Sequence, residues 1–135
     1  MRLIGIGRSG SWRSRTSVRA RFKSAAVGGL SSYQSICKNA KEVYEVASLK
    51  KIVIASAESC TGGMLSSAIT DIPGSSAIFE CGFVTYSNIS KMELLNVNQF
   101  TLESFGAVSE EVAAEMAIGA LKNSKANNTL RAYQS

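Results

Sequence analysis

The sequence predicts an α/β fold, and three features of its pattern carry that prediction. A short apolar run, Ile52-Val53-Ile54-Ala55, feeds directly into the polar string Glu58-Ser59-Cys60-Thr61-Gly62-Gly63, which opens a helical pattern at Met64, Leu65, Ala68 and Ile69. That is a strand, a tight loop and a helix start. A second apolar stripe at helical spacing, Val112, Ala113, Met116, Ala117, Ala120 and Leu121, closes the patterned part of the chain. Taken together the elements run helix, strand, helix, strand, helix, which is the order of an α/β domain.

The elements follow in chain order. Residues 1–33 hold seven cations (Arg2, Arg8, Arg13, Arg15, Arg19, Arg21, Lys23), seven serines and no acid, so they read as a disordered leader or a targeting segment. An Arg-rich, Ser-rich, acid-free stretch has the composition of a mitochondrial transit peptide; an unstructured extension is the alternative. The string Gly5-x-Gly7-x-x-Gly10 carries no dinucleotide reading, because too few residues precede it for a strand and no acid follows until Glu42. The folded domain is expected over 34–125, and 126–135 as a tail outside it.

From Tyr33 to Leu49, Ile36, Ala40, Val43 and Ala47 recur at helical spacing opposite Lys38, Lys41, Glu42 and Glu45, predicting an amphipathic packing helix. The strand Lys51–Ser56 follows. Pro73 ends the next helix, since the residue before a proline is pushed out of the α region. Ala77–Tyr86 is rich in Phe, Val, Ile, Thr and Tyr and predicts a second strand, with Gly82 a bulge or a point of close approach. Short helical turns are expected near Ser90–Leu95 and Thr101–Phe105. Ser109 caps the last helix, with Glu110 and Glu111 complementing its positive end.

Composition narrows the chemistry. At 135 residues the chain holds one domain. No apolar run reaches the roughly 18 residues of a membrane helix, and the expected compartment is cytoplasmic, with the mitochondrion as the alternative if the leader is a transit peptide. Beyond residue 33 eight cations face ten acids, so the folded part has no basic face and no nucleic-acid partner is expected. Three cysteines, Cys37, Cys60 and Cys81, fit neither a disulfide framework nor a zinc site. Histidine is absent, which excludes Ser-His-Asp and Cys-His catalysis; a base near neutral pH must be a lysine, a carboxylate or a perturbed thiolate. No metal site is expected.

The chemistry-bearing residues crowd three strings: Glu58–Gly63, then Pro73-Gly74-Ser75-Ser76, then Tyr86-Ser87-Asn88 with Lys91. The first is a strand-to-helix junction, which gathers backbone N–H groups where a phosphate or carboxylate is held. Each residue also has a purely structural reading: Ser76 bonding its own turn, Ser59 or Thr61 capping a helix, Lys91 on the surface. Cys60 is a competing nucleophile without an evident base. Glu58 either meets ribose hydroxyls or stabilises the loop.

These strings resemble the C-terminal domain of the competence- and damage-inducible protein CinA, whose stand-alone members are nicotinamide mononucleotide amidohydrolases. The similarity rests on AESCTGG at 57–63, TDIPGSS at 70–76, GFVTYSN at 82–88 with Lys91, and GAVSEEVAAEMAIGA at 106–120, in order over 34–125. The resemblance implies a three-layer α/β/α domain that hydrolyses the carboxamide of nicotinamide mononucleotide without metal or organic cofactor. It implies Ser76 as nucleophile and Lys91 as base, Tyr86 along the nicotinamide ring, and the loop residues Glu58, Ser59, Thr61, Gly62 and Gly63, with Ser75 and Asn88, around the nucleotide. The partner is then a small-molecule nucleotide. Stand-alone members are often dimers or larger, so a homo-oligomer belongs to the expectation.

The resemblance also includes a further core strand after the last helix, a T-G-x-A-G-P loop and a phosphate-binding arginine. Asn127–Arg131 does not read as that strand, and Arg131 is not assigned to that arginine. The fold is therefore expected to be incomplete at the C-terminus and the activity impaired, with a non-catalytic nucleotide- or phosphate-binding module or an interaction fragment as the alternative.

Overall fold

The computed structural model describes residues 2–7 and 29–133. Its elements are β1 (Arg2–Gly7), α1 (Gly29–Lys50), β2 (Ile54–Glu58), α2 (Met64–Thr70), a 3-10 turn (Ser75–Ala77), β3 (Phe79–Val84), α3 (Asn88–Leu95), α4 (Gln99–Phe105), α5 (Glu110–Lys122) and β4 (Asn128–Tyr133). One sheet runs in the order β1-β4-β2-β3. β2 is parallel to both neighbours, and β1 closes the far edge antiparallel to β4.

β2 is buried along its whole length, as a central strand of a parallel sheet covered on both faces must be. Its side chains alternate between two cores. Ile54 packs with Ile36, Ala40, Val43 and Ala47 of α1 and Leu65, Ala68 and Ile69 of α2. Ala57 packs on the other face with Leu95, Val112, Met116 and Ala120 of α3 and α5. Two helical layers around one sheet give the three-layer α/β/α architecture. Among the described residues no helix is long and apolar enough to cross a membrane.

The helices keep the expected positions, and the predicted cap on α5 is present, with Ser109 Oγ accepting from Val112 N at 3.2 Å. The bulge lies opposite Ile54/Ala55, away from Gly82. Gly82 is instead a close-approach point: a Cβ there would overlap Ser66 Oγ and lie 2.8 Å from Ser56 Oγ.

Two stretches differ from the sequence expectation. Asn127–Arg131 was expected to lie outside the fold, yet Asn128–Tyr133 is strand β4, parallel to β2. Its entry is pinned by Val53: the Val53 N–H donates to Asn127 Oδ1 at 3.0 Å, and the Val53 carbonyl accepts from Asn127 N and Asn128 N. Two asparagines are poor strand formers, and here placement between two strands overrides propensity. The ends of the expected leader are also regular, since Arg2–Gly7 pair with β4 and α1 begins at Gly29. The short run Leu3-Ile4-Gly5-Ile6 supplies β-branched residues that the average composition of 1–33 hides. The targeting reading of residues 8–28 lies outside the described residues.

Candidate active site

Parallel strands place their functional loops at the carboxyl ends, and here β2 and β3 end side by side. Ser59 follows β2. Its carbonyl accepts from Gly62 N–H at 3.0 Å, closing a turn that Gly62 and Gly63 complete at φ +59° and +96°, where a side chain would be strained. Thr85 and Tyr86 follow β3, and Ser87 caps α3 by accepting from Ser90 N.

The first turn of α3 carries Lys91 inward until it is 1% exposed. Its Nζ donates to Ser59 Oγ at 3.0 Å, to the Thr85 carbonyl at 2.8 Å and to the Tyr86 carbonyl at 3.2 Å. Three donors thus meet three oxygens and, among the described residues, no carboxylate. Burial pushes the ammonium below its ordinary value of 10.5, with the nearby Cys60 sulfur acting in the opposite sense. α3 itself is seated by Gly119 of α5, where a Cβ would overlap the Leu95 carbonyl.

Glu58, fully buried, faces away from the site. Its carboxylate accepts from Thr61 Oγ1 (2.9 Å), Leu65 N (3.0 Å), Ser66 N (2.9 Å) and Ser66 Oγ (2.5 Å), and Ser66 Oγ also meets Ser56 Oγ at 2.8 Å. The N-terminus of α2, expected to cradle a substrate anion, is therefore taken by the chain's own carboxylate. Of the two readings of Glu58, the structure supports stabilisation of the loop. Thr61, 2% exposed, points into that network as well.

The expected pair of Ser76 and Lys91 is not formed. Ser76 is exposed on the 3-10 turn that precedes β3, whereas the carbonyls holding Lys91 follow β3. Six strand residues at roughly 3.3 Å each set these ends roughly 20 Å apart. Ser75, 8% exposed, belongs to the same distant turn. The serine brought to Lys91 is Ser59. In sequence Ser59 reads as a helix cap or, through the resemblance, as a nucleotide contact, because the spacing of Ser59 and Lys91 acquires meaning only once β2 and β3 are known to be parallel neighbours.

At the rim, Tyr86 is 78% exposed, and Asn88 is exposed in the first turn of α3. An exposed aromatic residue, a hydroxyl and a buried amine thus belong to the same end of the sheet.

A family model described as the CinA C-terminal domain matches residues 37–131. The chain belongs to this family. The match extends through Arg131, so most of β4 falls inside it, as do residues 126–131 of the expected 126–135 tail. Arg131 itself is nearly buried and turns to α5, bonding the Glu110 carbonyl at 3.3 Å and its carboxylate at 3.5 Å.

Among curated members, the nicotinamide-nucleotide amidohydrolase PncC of Escherichia coli (strain K12) is 51% identical over 87 residues, covering 64% of this chain and 53% of that protein. A CinA-like protein of Chlorobium limicola is 61% identical over 74 residues, covering 55% of this chain and 17% of that protein. The chain therefore spans about half, or less, of the length of these relatives. The crystal structure of the competence/damage-inducible protein CihA from Agrobacterium tumefaciens superposes with a TM-score of 0.67 at 43% identity, over 71% of this chain and 58% of that one.

Proposed function

We propose that this chain carries the site of a nicotinamide-nucleotide amidohydrolase, with Ser59 as nucleophile and Lys91 as base. The substrate is nicotinamide mononucleotide, and the products are nicotinate mononucleotide and ammonia. One observation carries the reading: a lysine 1% exposed, with no carboxylate on its nitrogen among the described residues, lies 3.0 Å from a serine hydroxyl. The amidohydrolase name of the Escherichia coli relative supplies the substrate class.

The bonding pattern suits a base. A neutral amine has two N–H donors and one lone pair. The Thr85 and Tyr86 carbonyls accept the two N–H bonds, which leaves the lone pair to the Ser59 hydroxyl. Burial favours this neutral form. As the Ser59 oxygen attacks the carboxamide carbon, its proton passes to Lys91; the resulting ammonium then protonates the departing nitrogen, and ammonia leaves an acyl-serine. Water, deprotonated by the same amine, releases the acid and restores Ser59. The Cys60 and Thr61 N–H groups that follow Ser59 are the candidate donors for the oxyanion. Tyr86 offers the exposed aromatic face against which a pyridine ring stacks.

Purified protein incubated with nicotinamide mononucleotide should release ammonia, and Ser59→Ala should abolish that release. Turnover that survives Ser59→Ala would sink the assignment.

A further inference from the structure

We infer that Glu58 is the positioning residue of this site: its buried carboxylate and its backbone together hold the Ser59 hydroxyl against Lys91. The inference rests on the Ser59–Lys91 reading given above. Glu58 is fully buried, so it cannot touch a nucleotide, and a carboxylate in such a place is costly unless every acceptor is used. Here four donors converge on it, from Thr61, Leu65 and Ser66. These groups lie beyond Ser59 in the chain, so the carboxylate ties the far side of the loop back to the strand end from which the loop departs.

The backbone of the same residue closes a ring. The Glu58 carbonyl accepts from Thr85 N–H at 2.9 Å, and the Thr85 carbonyl accepts from Lys91 Nζ at 2.8 Å. Lys91 Nζ in turn meets Ser59 Oγ, one residue from Glu58. Nucleophile and base are thus registered to each other through one residue, whose side chain fixes the loop and whose main chain fixes the cradle of the amine. Gly82 extends the device, because the space in front of it admits the Ser56 and Ser66 hydroxyls behind the carboxylate.

The inference separates from mere stability by a readout on Ser59 itself. A β-lactone probe, whose ring opens as the serine oxygen attacks its carbonyl, should acylate Ser59 in the full chain, located by mass spectrometry, and the rate should depend on Lys91. Glu58→Gln keeps the shape but turns an amide N–H₂ toward N–H donors, displacing the loop. A shift on the scale of an ångström should slow acylation by about ten- to a hundredfold, with KM for nicotinamide mononucleotide little changed while the helical circular dichroism persists. Ser66→Ala removes one of the four bonds and should give a smaller loss of the same kind; it serves if the Gln variant does not fold. Either variant, folded and acylated at the parental rate, overturns the inference. A parent that is acylated at Ser59 yet releases no ammonia from the nucleotide would overturn the proposed substrate and leave the positioning role intact. A parent not acylated at Ser59 would overturn both.

Discussion

Two turns of this chain look alike in sequence and sit in different surroundings. Both Ser59-Cys60-Thr61-Gly62-Gly63 and Gly74-Ser75-Ser76 join serines to glycines with left-handed φ, and both adjoin strands of the parallel sheet. The first leaves the carboxyl end of β2, is tied down by a buried carboxylate, and meets a buried lysine. The second enters the amino end of β3, where Gly74 faces Tyr44 of α1 and Ser76 faces solvent. What separates them is the end of the sheet each occupies. In a parallel sheet the helix N-termini and loop amides collect at the carboxyl ends, so chemistry collects there too.

The sharpest way to break this comparison is to swap serine for alanine at each turn. Ser59→Ala should cost on the order of a thousandfold or more in kcat for nucleotide amidolysis, whereas Ser76→Ala should stay within about twofold, as exposed surface changes usually do. Ammonia release under saturating substrate measures both. The reverse ranking would move the nucleophile to the Ser76 turn.

Lys91→Arg should be nearly as damaging as Ser59→Ala, although it keeps the positive charge. A guanidinium does not deprotonate in this range and cannot accept the serine proton. In the parent, kcat/KM should rise with pH to a plateau whose midpoint lies below 10.5, because burial favours the neutral amine. A profile that falls across that range would exclude the amine as base.

Glycine substitutions give a smaller effect that differs in kind between the two turns. Gly82→Ala should lower kcat by about tenfold, because the new methyl drives Ser66 off Glu58 and loosens the Ser59 loop. Gly74→Ala, at φ +84°, should cost about 1–2 kcal/mol of stability, the usual penalty for a left-handed residue, with kcat unchanged. Urea titration together with initial rates tests the pair, and equal kinetic damage at both positions would erase the distinction.

The sequence made the layers legible, because Ile36, Ala40, Val43 and Ala47 and the stripe on α5 declare their faces by period alone. Lys91 entered as a base only through the family resemblance, since on the sequence alone it reads as a surface lysine, and Gly82 read as either a bulge or a point of close approach. The serine facing Lys91 was not legible. Local strings record turn chemistry, whereas the partner of Lys91 depends on the registry of two strands remote in sequence. Glu58 was ambiguous for a similar reason, since two of its four donors are backbone N–H groups, which any residue offers. β4 was missed because Asn127-Asn128 argues against a strand, and only the neighbouring strands β2 and β1 supply the reason for one.

The smallest expected effect concerns the charge at the Ser59 end. The unfolded chain binds a proton on Lys91 up to about 10.5, while the folded chain, with the amine buried, releases it earlier. Between the folded value and 10.5 the unfolded state therefore holds more protons, so this group makes stability rise with pH, at a slope of at most about 1.4 kcal/mol per pH unit for one proton. Below the folded value the cost of burying an ammonium is carried in full. Burial also raises the Cys81 thiol above its ordinary 9.0, which works in the opposite sense: stability is kept at lower pH and lost as pH rises through the folded value. Subtracting the unfolding free energy of Lys91→Met from that of the parent at each pH cancels Cys81, present in both. The difference should grow in the parent's favour as pH rises toward 10.5 and then level off. A difference that is flat, or that falls with pH, would mean that Lys91 is hydrated in the folded chain, and the Ser59 end would then lack the neutral amine that sets it apart from the Ser76 turn.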